Sequence, residues 1–243
     1  MVFKETENLG DTMQAVALSR LIGPAQGFFR DHPYPERDPN DFGVAAGFLL
    51  GPFYQNPERL LMAGVYYPAH HAPHVPWIAK CPLPIGARDP ETHKHLIGRR
   101  VRSEFLGCVT LTLPRYDGPR SGELSVDADG PGEKLSHAIP KALPFAEEWD
   151  LALACLDRYR KASVVHTTRI HVALPCAALG TPVRYLGPKD GRTSVLDAVG
   201  IKHGEESVVD TSEFRERYAD FLVRHLGIKV RDGDPVRPEV PPS

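Results

Sequence analysis

The residues best equipped for chemistry lie in one stretch, 163–183, which reads SVVHTTRIHVALPCAALGTPV. Its β-branched start predicts a strand over Ser163–His166. Its Ala- and Leu-rich remainder predicts a helix over Arg169–Leu179, stopped by Gly180. Thr167 or Thr168 is placed to cap that helix, so Arg169 and His171 fall in its first turn. If the strand belongs to a parallel sheet, this turn sits at the carboxyl edge, where open α/β sheets hold ligands. Unsatisfied N–H groups at a helix start attract phosphate or carboxylate, and a guanidinium offers a fork that matches both. A cation there is mildly unfavourable unless an anion lies between the two. His171 adds an imidazole able to exchange a proton near neutral pH. The plainer alternative pairs Arg169 with a surface carboxylate and leaves His171 to fill a gap in the core. Pro175 falls inside the helix pattern, removes a backbone hydrogen bond and predicts a kink.

Other polar groups carry less information alone. Asn8-Leu9-Gly10-Asp11 has one of the three glycines of a dinucleotide fingerprint, so it is not one. Gly10 permits a tight turn, and Asp11 is a good cap for the helix that follows. Arg88-Asp89, ahead of Pro90, reads by itself as a solvated pair. His70, His71 and His74 have no companion group at ligand spacing and read as a polar loop, not a metal site. Cys108, Cys155 and Cys176 sit in apolar stretches and read as small core residues. No Cys-x-x-Cys pair is present, which argues against a zinc ribbon and for a reducing cytoplasm.

The elements that must position these residues alternate. A strand over Val2–Lys4 precedes a helix from Thr12, where Met13, Val16, Ala17 and Leu21 share a face and Gly23-Pro24 ends it. Gly43–Leu50 and Arg59–Tyr67 are each a buried strand or a short helix. A short helix runs from Pro90 toward Ile97, and Val109–Leu113 reads as a strand. Residues 114–122 break the pattern. Beyond them come a strand at Leu124–Val126, a helix at 145–161, a strand at Pro182–Leu186 and an amphipathic helix at Ser212–Leu226. Such alternation predicts an α/β fold with parallel sheets and crossover helices. The expected domains are 1–115, 122–230 and a flexible tail at 231–243. With 29 basic and 31 acidic residues the net charge is −2, which argues against a bulk electrostatic grip on nucleic acid. No apolar run approaches the roughly 20 residues of a membrane span, and no secretory signal opens the chain.

Four stretches, in order, resemble the polysaccharide pyruvyl transferase family. They are TENLGDTMQAVALSRLI (6–22), the pair Arg30-Asp31, PIGARDPETHKHL with FLGCVTLTLP (84–96 and 105–114), and ASVVHTTRIHVALPCAALGTPV (162–183). The last resembles that family's Thr-x-Arg-Leu-His…Gly-x-Pro-Val. Ala87 stands where the family usually has Cys, which marks that position as structural. The resemblance implies two Rossmann-like lobes around a cleft, as in GT-B glycosyltransferases. It also implies transfer of pyruvate from phosphoenolpyruvate to two hydroxyls of a sugar or glycan acceptor, free or lipid-linked, to form a ketal in exopolysaccharide or glycoconjugate biosynthesis. Arg169 and His171 match its active-site pair.

Under that reading Arg169, Thr168 and the helix start clamp the anion, and His171 is the acid–base. Arg88 and Arg30 supply the second side of the clamp, Arg192 is a further candidate, and Asn8, Gly10 and Asp11 shape the acceptor side. No metal or nucleotide cofactor is required, since phosphoenolpyruvate is the co-substrate. The setting is cytoplasmic or peripheral at the inner membrane face. The alternatives are a nucleotide-sugar-dependent glycosyltransferase of the same fold, and an inactive relative that binds glycan or a partner enzyme.

Overall fold

The computed structural model describes residues 2–3, 8–24, 28–29, 43–48, 59–67, 78–140 and 143–238. Arg30, His70, His71 and His74 lie outside them. The first sheet is built from β1 (Val2–Phe3), β2 (Phe28–Phe29), β3 (Gly43–Phe48), β4 (Leu60–Tyr66), β5 (Ile85–Ala87) and β6 (Ser103–Phe105). Every neighbouring pair is parallel, in the order β2-β1-β3-β4-β5-β6. The seven residues of β4, LLMAGVY, are all buried, as a central strand covered on both faces requires. The strand-or-helix ambiguity thus resolves to strands at Gly43–Phe48 and Leu60–Tyr66, with residues 49–50 of the first segment outside the described residues.

The second sheet contains β7 (Glu123–Val126), β8 (Glu133–Leu135), β9 (Val164–Thr167), β10 (Val183–Tyr185) and β11 (Glu206–Ser207), in the order β11-β10-β9-β7-β8. Only β11 runs antiparallel. The chain is thus an α/β protein with two sheets of parallel strands.

Among the described residues six helices surround the sheets: α1 (Leu9–Ile22), α2 (Pro90–Gly98), α3 (Phe145–Lys161), α4 (Ile170–Leu179), α5 (Ser194–Val199) and α6 (Ser212–Leu226). α1 packs on β3 and, on its other side, against α3 and α4. Its Leu9, Met13, Val16, Ala17, Leu18 and Leu21 are therefore buried all round, not along one stripe. One core runs from α1 through α3 and α4 to α6, and a second lies between the first sheet and α2. Val109–Leu113, expected as a strand, is instead a 3-10 turn over Val109–Thr112. Thr112 Oγ1 donates to the Val109 carbonyl at 2.7 Å and Thr110 Oγ1 to Cys108 Sγ at 3.2 Å. Such local side-chain bonds compete with a ladder, and the turn is packed between α1, α4 and α6.

Two C-terminal segments return to the first half of the chain. On α6, Tyr218 Oη donates to the Ala63 carbonyl of β4 at 2.5 Å, and Arg224 pairs with Glu104 at 2.7 Å. Residues 231–238, expected as the start of a loose tail, follow α1. The Arg231 amide donates to the Leu21 carbonyl at 2.9 Å, and Asp232 pairs with Arg20 and Arg215. Among the described residues, no helix is long and apolar enough to cross a membrane.

Candidate active site

The carboxyl edges of both sheets meet at one cleft of about 470 Å³. Asn8 follows β1 and Arg88 follows β5. Thr168–His171 follow β9, and Tyr185, Pro188 and Arg192 come from the end of β10 and the loop after it. Parallel order makes this convergence possible, because every crossover leaves its strand at the same edge. Seven of the nine expected site residues line the cleft: Asn8, Asp11, Arg88, Thr168, Arg169, His171 and Arg192. Gly10 lies behind it, and Arg30 is outside the described residues.

The β9–α4 crossover is locked by hydroxyls, though not as the sequence suggested. Arg169, not a threonine, is the N-cap of α4, and no side chain caps the helix. Thr167 Oγ1 accepts the Arg169 amide at 3.0 Å and donates to the Val126 carbonyl at 3.0 Å. Thr168 Oγ1 donates to the Asp127 carbonyl at 2.7 Å. Both hydroxyls are thus spent on β7 and the turn, which leaves the start of α4 uncapped at the cleft wall. His171 has a non-helical ψ of 15°. Pro175 lies four residues on, where it has no N–H for the His171 carbonyl and its ring crowds that oxygen.

α1 begins at Leu9 and not at Thr12. Asn8 is its cap, with Oδ1 accepting the Gly10 amide at 2.9 Å, so Asp11 is not the cap. Gly10 is helical and serves close approach, not a turn. A Cβ built there would lie 2.7 Å from His171 Cβ, so the first turns of α1 and α4 touch at this residue.

Arg88 is 2% exposed and Asp89 0%, so the expected solvated pair is buried. Arg88 stacks over the Tyr66 ring, 4.6 Å from its centroid, with Nε 4.0 Å from Asp89 Oδ2. Asp89 caps α2, accepting Thr92 N at 2.8 Å and Thr92 Oγ1 at 2.9 Å. Arg88 Nη1 reaches His171 Nε2 at 3.4 Å. Its Nε and Nη2 are buried without a hydrogen-bond partner among the described residues. A buried guanidinium left this way is costly unless a ligand supplies the acceptors.

Arginine can only donate, so His171 Nε2 accepts and its proton sits on Nδ1. From there one direction of donation runs along the cleft floor. His171 Nδ1 faces Cys108 Sγ at 4.0 Å, the thiol donates to Gln14 Oε1 at 3.9 Å, and Gln14 Nε2 donates to Asp11 Oδ1 at 3.0 Å. Every link from the Arg88 cation to the Asp11 carboxylate points the same way. Burial, then Arg88, then His137 and Arg192 hold the His171 imidazole well below its usual range. It is therefore neutral at neutral pH, not poised near 7.

Arg169 Nε donates to Asp127 Oδ2 at 2.9 Å, so the carboxylate partner of the plainer alternative exists. It takes one edge of the guanidinium, and among the described residues the two terminal nitrogens have no partner. Asp127 also accepts Ser136 Oγ at 2.8 Å and the His137 amide at 3.1 Å, in a left-handed backbone of φ 48°. Burial works against its charge, but the Ser136, His137 and Arg169 contacts outweigh it and lower its pKa. Arg192 is held by Asp190 at 2.9 Å, with about half its side chain exposed. The cleft thus gathers three arginines and an uncapped helix start, with Asp11 opposite.

Gln14, Tyr66, Cys108 and Asp127 were missed as site residues. Gln14 had a signal, since it is a lone amide in the apolar run of α1. Cys108 is buried as expected but is bonded to the site. Asp127 sat unmarked in a Gly- and Asp-rich loop. No group of His, Cys, Asp and Glu that could hold a metal ion occurs among the described residues.

No family model matches the chain, and no curated protein does. Among solved structures it is similar to a functionally uncharacterized protein from Klebsiella pneumoniae subsp. pneumoniae NTUH-K2044. The identity is 15%, over 81% of this chain and 86% of that one, with a TM-score of 0.49.

Proposed function

We propose that the chain is a polysaccharide pyruvyl transferase-like enzyme that uses phosphoenolpyruvate to place a pyruvate ketal on a sugar or glycan. In this reading the two sheets are the lobes of a GT-B-like arrangement, divided near residues 115–122. The observation that carries it is Arg88, a buried guanidinium at the cleft whose Nε and Nη2 have no hydrogen-bond partner among the described residues, beside the uncapped start of α4. That pairing suits a small ligand with two anionic groups.

Arg88 and the terminal nitrogens of Arg169 take the phosphate and carboxylate, and Arg192 closes the side. An acceptor hydroxyl adds at C2 of the enolpyruvyl group while C3 gains a proton and becomes methyl. The C2–O bond to phosphate breaks as positive charge develops at C2, and a second hydroxyl completes the ketal. Of the two hydroxyl protons, one balances the proton gained at C3 and one leaves with phosphate. His171 receives the proton of the first hydroxyl. An anion bound against Arg88 offsets the repulsion that depresses this imidazole, so His171 gains basicity only with the donor in place.

The test is calorimetric titration with phosphoenolpyruvate, followed by phosphate release with candidate sugars. Phosphoenolpyruvate is expected to bind, and His171→Ala to bind it while losing turnover. Full activity in His171→Ala would remove its assigned role. Tight binding of nucleoside diphosphates with no effect of phosphoenolpyruvate would replace this reading with a glycosyltransferase. Absence of phosphoenolpyruvate binding would leave a binding protein.

A further inference from the structure

A second cavity, of about 390 Å³, runs beside α2, with Lys94, His95, Arg99 and Glu91 on its walls and Tyr66 and Tyr67 at its inner end. Arg99 Nη1 donates to His95 Nδ1 at 2.9 Å, which leaves the ring proton on Nε2. That Nε2 is buried and has no partner among the described residues. The His95 ring lies against Tyr67, with centroids 5.6 Å apart. Lys94 and Arg99 are exposed, and neither has a carboxylate partner among the described residues. One cavity therefore collects an ammonium, a guanidinium and an orphaned N–H donor, with aromatic edges behind them and Glu91 as its carboxylate.

The partition between this cavity and the cleft is thin. Tyr66 lines the cavity on one side, and Arg88 of the cleft stacks on its ring. Gly191 lines the cavity and its neighbour Arg192 the cleft. A Cβ on Gly191 would stand only 3.9 Å from Tyr66 Oη.

We propose that this cavity is a binding site for a sugar phosphate. Lys94, Arg99 and His95 Nε2–H hold the phosphate, and Glu91 accepts from sugar hydroxyls. The tyrosines form the apolar wall beside the ring. Its role as the acceptor's anchoring subsite rests on the transferase reading, whereas the binding itself does not.

The test titrates the full chain calorimetrically with glucose 1-phosphate, glucose and inorganic phosphate. Glucose 1-phosphate is expected to bind more tightly than either fragment. The double variant Lys94→Ala/Arg99→Ala should weaken it about fivefold or more and leave phosphoenolpyruvate binding unchanged. Both side chains are exposed, so the variant is expected to fold. Arg169→Ala should do the reverse. Equal binding of inorganic phosphate would overturn the sugar assignment. No binding of glucose 1-phosphate, or binding lost with Arg169→Ala and indifferent to Lys94 and Arg99, would overturn the site. Glucose 1-phosphate binding without phosphoenolpyruvate binding would keep the site and sink the transferase reading.

Discussion

Gly10 and His171 are each explained by the other. The helix start after β1 can reach the helix start after β9 only because residue 10 has no side chain. Ala at this position gains about 1 kcal/mol of helix propensity but forces a Cβ against His171, an overpacking cost of about 1–3 kcal/mol. Gly10→Ala is therefore expected to lower stability in urea unfolding and weaken phosphoenolpyruvate binding. A more stable variant would refute the close contact. Histidine burial has its own signature. His137 is fully buried against Tyr159, with Nε2 2.5 Å from Oη, and burial holds its pKa down to about 4. The unfolded chain takes up that proton near pH 6.5 and the folded chain does not. Stability is thus complete above that pH and falls as the pH drops toward 4. His137 contributes a loss of about 3 kcal/mol across this window, and the depressed His171 adds to it in the same direction. Denaturant unfolding between those limits is expected to show this slope, shallower in His137→Phe.

At the scale of elements, α4 is bent by its own sequence. Pro175 cannot donate to the His171 carbonyl, and the kink falls at His171. The bend helps set the ring facing Arg88 while Val172–Leu179 stay buried. Pro175→Ala supplies the missing N–H, so the first turn should close and carry the imidazole away from Arg88. A structure of the variant is expected to show helical angles at residue 171, with weaker phosphoenolpyruvate binding. A ψ still near 15° would mean that Gly10 and Arg88 hold the kink instead. The turn at 109–112 teaches a related point. Its Val-Thr-Leu-Thr composition favours a strand, but its threonines bond locally, and the 3-10 turn becomes a wedge between α1, α4 and α6.

At the scale of the molecule, the two sheets are held together by elements that cross between them. α1 follows β1 but packs against α3 and α4, and α6 follows the second sheet but packs on β4. The Tyr218 hydroxyl meets the Ala63 carbonyl in a fully buried contact. Beneath it Gly64 has φ 75°, and a Cβ there would come within 3.1 Å of the Tyr218 ring. Tyr218→Phe removes the donor and leaves that carbonyl unsatisfied, an expected loss of about 1–2 kcal/mol. Thermal unfolding is the check, and an unchanged midpoint would mean that α6 contributes through packing alone. The cleft lies between groups that these crossings fix in place, so loosening α6 should also weaken ligand binding.

The sequence by itself determined the local alternation. β9, α4 with its Gly180 stop, α3, β10 and α6 fall within a residue or so of their expected limits, because periodicity and caps are properties of neighbouring residues. It also marked Arg88, Thr168, Arg169, His171 and Arg192, whose types suit anions, and Asn8 and Asp11, whose types suit hydroxyls, and parallel strands deliver them all to a shared edge. Only the tertiary structure decided how those groups behave. Arg88 is a buried cation because Tyr66 and Asp89 enclose it, and His171 is neutral because of what surrounds it. Cys108 and Gln14 become links between His171 and Asp11 through contacts spanning 63 and 94 positions. Charge state and hydrogen-bond direction depend on desolvation and on partners distant in the chain, and no local pattern encodes either.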